Sequence, residues 1–137
     1  MKIDDHRELL ERQGARYRRS IGAWNRLEEA AFGVAMGSNG YTIQEEAEKI
    51  LHAVTARANG RILDMGTGRG WPGRMIARET GRHVVAMDVP VDGLRHARDA
   101  FAEEGVSERS HVCAGSASEL PFADRSFAAI SHADVFC

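Results

Sequence analysis

Cysteine is nearly absent from this chain, with Cys113 and Cys137 the only two in 137 residues. Two cysteines cannot form the framework that holds small secreted domains together. Cys113 falls in an apolar strand pattern and reads as a small core residue. No Cys/His cluster has metal-ligand spacing, so no metal is expected. No apolar run is long enough to cross a bilayer. The start, Met1-Lys-Ile-Asp-Asp-His-Arg, lacks the apolar core of a signal peptide. Charge of one sign is not in excess either. A formal net charge of −2 gives no reason to expect nucleic acid as a partner. There is no repeat and no low-complexity tract. Together these absences predict a reduced, cytoplasmic setting.

What is present suffices for one domain. The chain is 43% hydrophobic and 28% charged, enough to fold around a core. Residues 1–59 read as helical. Arg7 to Ala31 is rich in helix formers, with Leu9, Leu10, Tyr17, Ile21, Trp24 and Leu27 as its apolar set. Arg12, Arg16, Arg18, Arg19 and Arg26 are interspersed with Glu8, Glu11, Glu28 and Glu29. A solvated mixed-charge face explains them better than an anion site does. Gly33 to Gly40 reads as a flexible break. Thr42-Ile-Gln-Glu45 has the spacing of a capping box. The helix behind it places Ile43, Ala47, Ile50, Leu51 and Val54 on one face, and Asn59-Gly60 ends it.

From Arg61 the period changes. Ile62-Leu63 predicts a strand, and a helix follows from Pro72 to Thr80, closed by Gly81. Pro72 suits the first turn, where its missing N–H costs nothing. His83 to Asp88 is a second strand whose unbroken apolar run fits a buried parallel position. Val91, Leu94, Ala97 and Phe101 mark a helix closed by Gly105. His111 to Gly115 and Phe127 to Ser131 are further strands. This alternation predicts an α/β fold with a parallel sheet and right-handed crossovers.

The chemistry gathers at Arg61-Ile-Leu-Asp-Met-Gly-Thr-Gly-Arg-Gly-Trp-Pro-Gly73. A strand ends in Asp64 and then in four glycines, at 66, 68, 70 and 73. Glycine admits positive φ and close approach of a ligand to the main chain. A strand, a glycine loop and a helix in series form a nucleotide-cofactor site. Gly68 to Gly73 matches the dinucleotide pattern G-x-G-x-x-G. A pyrophosphate, however, needs N–H donors at the helix start. Pro72 removes one, and Asp64 brings a negative charge nearby. S-adenosylmethionine carries no phosphate and is compatible with both features.

The chain resembles the class I S-adenosylmethionine-dependent methyltransferases, in particular the small-molecule and ubiquinone-biosynthesis-type subgroup. The resemblance covers about residues 40–137 and rests on three motifs in order. Leu63-Asp-Met-Gly-Thr-Gly-Arg-Gly70 is similar to the family's glycine-rich motif. Asp88, 22 positions after Gly66, matches the acidic residue that receives the ribose hydroxyls. Leu120-Pro-Phe-Ala-Asp-Arg-Ser-Phe127 resembles the turn that leads into the fourth strand. The resemblance implies a Rossmann-like parallel sheet, the first four strands of that fold, behind N-terminal helices. Residues 1–59 would be a helical cap and 60–137 a cofactor-binding half-domain, in one compact unit. It implies S-adenosylmethionine as cofactor and S-adenosylhomocysteine as product. The implied cofactor set is Asp64, Gly66, Thr67, Gly68, Gly70, Asp88, Val89, Ser116 and Ala117. Ser116 stands where the family often has aspartate, and would accept from the adenine amino group without charge.

Other features depart from the family pattern or carry weaker roles. Trp71 reads as packing on the first helix, with shielding of the cofactor as the alternative. His132, just past the fourth strand, is the one candidate for a general base or acceptor contact, beside the plainer reading of a polar strand end; Asp134 is weaker still. Tyr17, Trp24 and Met36 read as core packing, with a lid as the alternative. The family's sheet has seven strands, and this chain ends after the fourth. That strand would be an apolar edge carrying Phe127, Ala129 and Ile130. A second copy, or the rest of a longer enzyme, is expected to cover it. The predicted function is methyl transfer to a small acceptor. The alternatives are an inactive module that binds cofactor or pairs with a subunit, and an NAD-dependent oxidoreductase. Pro72, Asp64 and the Leu120-Pro-Phe turn argue against the last.

Overall fold

The computed structural model describes residues 3–19, 21–38, 40–56 and 59–135; Cys137 lies outside them. The elements in order are α1 (Ile3–Arg18), α2 (Ile21–Phe32), α3 (Gln44–Thr55), β1 (Ile62–Met65), α4 (Gly73–Thr80), β2 (Val84–Asp88), α5 (Val91–Glu103), β3 (Ser110–Ala114) and β4 (Ala129–His132). The strands form one parallel sheet in the order β3-β2-β1-β4. Sequence order reverses beside β1, and the crevice outside the carboxyl ends of such strands is where open α/β sheets bind ligands. Asp64 pairs with Ala86 and Ser131, and Met65 with Met87 and His132, so the functional chain ends lie in register.

The core follows from the apolar runs. Ile62, Val84 and Ala86 from the sheet meet Ile76, Ala77, Ala97 and Phe101 from α4 and α5, with Val54 of α3 at one side. Burying each large side chain contributes roughly 1.5–3 kcal/mol. Glycines close both crossover helices. Gly81, at φ +66°, ends α4 with its N–H on the Ala77 carbonyl. Gly105, at φ +68°, ends α5; the Val106 N–H reaches Phe101 O at 2.9 Å and the Gly105 N–H reaches Ala102 O at 3.1 Å. That pair of bonds satisfies carbonyls that the helix end would leave open.

The N-terminal region differs from the sequence expectation in four ways. The single helix expected over Arg7 to Ala31 is two helices. α1 packs on α5, where Arg18 pairs with Asp92 at 2.5 Å and His96 Nε2 meets Tyr17 O at 3.1 Å. α2 turns instead toward the glycine loop. Second, Glu28 is not on a solvated face: it is 3% exposed and pairs with the equally buried Arg69 at 3.4 Å. Third, residues 36–38, within the break expected from Gly33 to Gly40, are anchored. Met36 is buried, the Gly37 N–H donates to Glu28 at 2.8 Å, and Ser38 O accepts from Trp24 Nε1 and Arg69 Nη2. Fourth, the cap of α3 sits one residue later than Thr42. Ile43 is the N-cap and its N–H donates to Glu46 at 3.1 Å. Thr42 is occupied elsewhere, with its N–H and hydroxyl both on Asp134. Cys113 is only partly buried, at the outer strand of the sheet.

Candidate active site

The glycine loop leaves β1 and folds back over the end of β2. Gly66 and Thr67 N–H groups both donate to Met87 O, at 2.7 and 3.1 Å. Gly66, Gly68 and Gly70 have φ of +71°, +56° and +96°, a region that side chains resist. Close approach adds a second requirement. A Cβ on Gly73 would stand 2.6 Å from Asp64 Oδ2, and one on Gly93 would stand 2.8 Å from Gly68 O.

Two carboxylates flank this loop and do different things. Asp64 is fully buried beneath it. Its Oδ2 accepts from Thr67 Oγ1 at 2.5 Å and from the Gly73 N–H at 3.1 Å; its Oδ1 accepts from Ser131 Oγ at 2.9 Å. Burial pushes its pKa up from 3.8 to about 6, against the pull of those three hydrogen bonds, with Asp88 repulsion adding to the rise. Asp64 therefore fastens the loop from beneath and does not line the cavity, although the resemblance implied it as a cofactor contact. Asp88, at the end of β2, lies on the open side. Its Oδ2 accepts from the Gly68 N–H at 2.8 Å and its Oδ1 from the Val89 N–H at 2.7 Å. Desolvation raises its pKa, and the two N–H donors oppose that rise.

In front of Asp88 opens a cavity of about 560 Å³, within the range that holds small ligands. Gly66, Thr67, Gly68, Asp88 and Val89 line it, together with Trp71, Tyr17 and Trp24. Five of the nine residues implied for the cofactor thus converge there. Gly70 does not; it is buried where an added Cβ would meet Ala97 at 3.3 Å. Ser116 and Ala117 do not line the cavity either, and Ser116 Oγ bonds Ser118 Oγ at 2.7 Å. His132 is exposed and outside the wall, because strand alternation puts Ser131 inward and His132 outward.

The residues just past His132 were undervalued from sequence. Ala133, Asp134 and Val135 all line the cavity. Asp134 accepts from the Tyr41 N–H, the Thr42 N–H and the Thr42 hydroxyl at 2.8–2.9 Å, fastening the segment before α3 to the end of β4. Tyr17 and Trp24 face the cavity from the N-terminal helices, while Met36 is core. Trp71 lines the cavity as well, and its indole N–H is buried with no protein partner among the described residues. Arg69, inside the loop, is the other contributor that glycine spacing concealed. It bonds Asn25 at 3.0 Å and Ser38 O at 2.9 Å, and so locks α2 to the loop. An arginine inside a glycine loop was the available signal.

The start of α4 separates the candidate cofactors. The Gly73 N–H is spent on Asp64, the Arg74 N–H on Gly70 O at 2.7 Å and the Ile76 N–H on Pro72 O at 3.1 Å. Pro72 has no N–H and caps the helix. A pyrophosphate placed here would meet occupied donors and a buried carboxylate. A sulfonium cofactor asks for neither, and the carboxylate that does line the cavity here is Asp88. Among the described residues no group of three or more His, Cys, Asp or Glu is arranged to hold a metal, and no helix is long and apolar enough to cross a membrane.

Sheet order, loop and carboxylate define a Rossmann-like domain built around an adenosyl-type cofactor. Comparison with known proteins agrees, since the family described as a methyltransferase domain matches residues 62–137. The chain belongs to that family, the class I S-adenosylmethionine-dependent methyltransferases. It is 35% identical over 80 residues to "Methyltransferase GfsG" of Streptomyces halstedii, covering 58% of this chain and 29% of that protein. It is 36% identical over 78 residues to the ubiquinone/menaquinone biosynthesis C-methyltransferase UbiE of Vibrio cholerae, covering 56% and 30%. Among solved structures, the [4+2]-cyclase SpnF aligns with TM-score 0.55 and 28% identity, over 68% of this chain and 36% of that one. A Thiobacillus denitrificans methyltransferase in complex with S-adenosylhomocysteine aligns with TM-score 0.62 over 79% and 42%; at 19% identity it speaks for the fold alone. The chain spans less than a third of the length of the curated relatives it matches.

Proposed function

We propose that this chain binds S-adenosylmethionine in the cavity before Asp88 and takes part in methyl transfer to a small-molecule acceptor. The observation that carries this reading is the division at the loop. Asp88 offers acceptor oxygens at the cavity wall, while the Gly73, Arg74 and Ile76 N–H groups at the start of α4 are already committed. Asp88 would take the ribose hydroxyls, and Gly66, Thr67, Gly68 and Val89 would border the cofactor. When bound, S-adenosylmethionine supplies an activated methyl group with its leaving group built in. The protein's share is to orient the reactants and to exclude water. Tyr17, Trp24 and Trp71 are placed to do that as cavity walls. A general base is needed only for an acceptor that must lose a proton. His132 stands outside the cavity wall, which favours a reaction with no base from that position.

The N-terminal helices and the sheet act as one unit in this reading, joined by the Arg69–Glu28 pair and the Asp134 hydrogen bonds. The edge of β4 exposes Ile130, and parallel strands are ordinarily covered. Further strands of a longer chain, or a second copy, would pair there. The setting is cytoplasmic. A second reading, that the fold acts without methyl transfer, is favoured by the likeness to a protein named a [4+2]-cyclase. Titration calorimetry with S-adenosylmethionine, S-adenosylhomocysteine and NAD tests the main reading. Both sulfur compounds are expected to bind and NAD is not. NAD binding with no response to either sulfur compound would sink it. Methyl transfer without detectable S-adenosylhomocysteine formation would be impossible, so release of that product separates the two readings.

A further inference from the structure

A second cavity, of about 450 Å³, adjoins the first between α1 and α2 and shares Arg16, Tyr17 and Trp24 with it. Its remaining wall is Ile21, Ala23 and Leu27, with Arg19 and Arg69. Leu27 is 58% exposed and Trp24 45%, so apolar surface is held open to solvent here. The wall is also fixed in place. Trp24 Nε1 and Arg69 Nη2 share Ser38 O, at 3.0 and 2.9 Å, and Arg69 is braced by Asn25 and Glu28. The two cavities differ in charge. Asp88 and Asp134 line the first, which suits a cofactor with cationic groups and ribose hydroxyls. Arg16, Arg19 and Arg69 line the second, with no acid; Arg16 is shared with the first and Arg69 is paired with Glu28, so Arg19 is the cation that sets the second apart. Guanidinium groups match carboxylates in shape as well as in charge.

We infer that this second cavity is the acceptor site and that it takes an apolar small molecule bearing a carboxylate. The apolar body lies along Ile21, Trp24 and Leu27, and the carboxylate is held by the arginine side of the cavity. The shared Tyr17 and Trp24 bring such a molecule against the cofactor cavity. This rests on the cofactor reading above, so the test measures the two ligands separately.

Octanoate and octylammonium, matched in chain and opposite in charge, are titrated calorimetrically into the protein saturated with S-adenosylhomocysteine. Octanoate is expected to bind at least about tenfold tighter, a difference set by the arginines. Arg19→Glu is expected to weaken octanoate at least about fivefold while S-adenosylhomocysteine affinity holds. Leu27→Asp, at an exposed position, is expected to weaken octanoate in the same way. Equal affinities for the two chains, no binding of either by protein that binds S-adenosylhomocysteine, or indifference to Arg19→Glu would each overturn the inference. If S-adenosylhomocysteine does not bind while octanoate is still preferred, the cofactor reading fails and the acceptor assignment falls with it.

Discussion

Asp64, one residue before the end of β1, and Asp88, at the end of the neighbouring β2, accept hydrogen bonds from the same loop and are both pushed toward protonation by desolvation. They are nonetheless opposites. Asp64 has no exposed surface and spends both oxygens on Thr67, Gly73 and Ser131. Asp88 borders the cavity, and its two oxygens accept from the Gly68 and Val89 N–H groups, one each. A carboxylate beside a glycine loop is thus either a fastening or a recognition group, and burial decides which. The carboxylate under the loop fixes the shape that the one in front depends on.

That contrast can be broken from several directions. Asp64→Ala carries the largest effect. Two hydroxyls and one N–H lose a buried acceptor, at about 1–3 kcal/mol each, while the carboxylate's own burial cost disappears. The expected net loss is about 3–5 kcal/mol in urea unfolding, and a loss within 1 kcal/mol would show that the loop holds its shape without Asp64. The pH dependence comes next. A carboxyl titrating at about 6 when folded, against 3.8 as its ordinary value, binds protons more tightly in the folded state. Its contribution to stability therefore falls as pH rises between 3.8 and about 6, by about 3 kcal/mol in total. The difference in stability between the wild type and Asp64→Asn should shrink by that amount over the same window. A pH-independent difference would mean that Asp64 is already charged at the lower end. Gly93→Ala touches neither carboxylate. Its methyl would stand 2.8 Å from Gly68 O, so α5 and the loop must part. The expected cost is about 1–3 kcal/mol, with weaker S-adenosylhomocysteine binding. Full stability with full affinity would show that the loop yields without consequence.

Most of the sheet was legible in the sequence, since buried parallel strands and crossover helices announce themselves through continuous apolar runs and closing glycines. Gly81 and Gly105 end their helices as expected, and the four strands fall within a residue or two of their predicted places. The loop and Asp88 were legible for the same reason: positive φ demands glycine, and the spacing to the next strand end is set by one crossover helix. The N-terminal region was not. Local charge alternation around Glu28 looks like a solvated face, and only Arg69, 41 residues away, shows that it is a buried pair. Thr42 has the spacing of a cap, yet Asp134, 92 residues on, claims its donors. Ser116 and His132 lie outside the cavity wall, because position relative to a strand end does not settle which way a side chain points. Long-range polar partners are invisible to periodicity, and these are where the expectation and the structure part.

The central claim is that Asp88 recognises the cofactor while Asp64 supports the loop. Calorimetric titration of S-adenosylhomocysteine into Asp88→Ala, beside the wild type, tests it most directly. Affinity should weaken by about 1–3 kcal/mol, the range for a charged hydrogen-bond partner, with the protein still folded. An unchanged affinity in folded protein would contradict the claim.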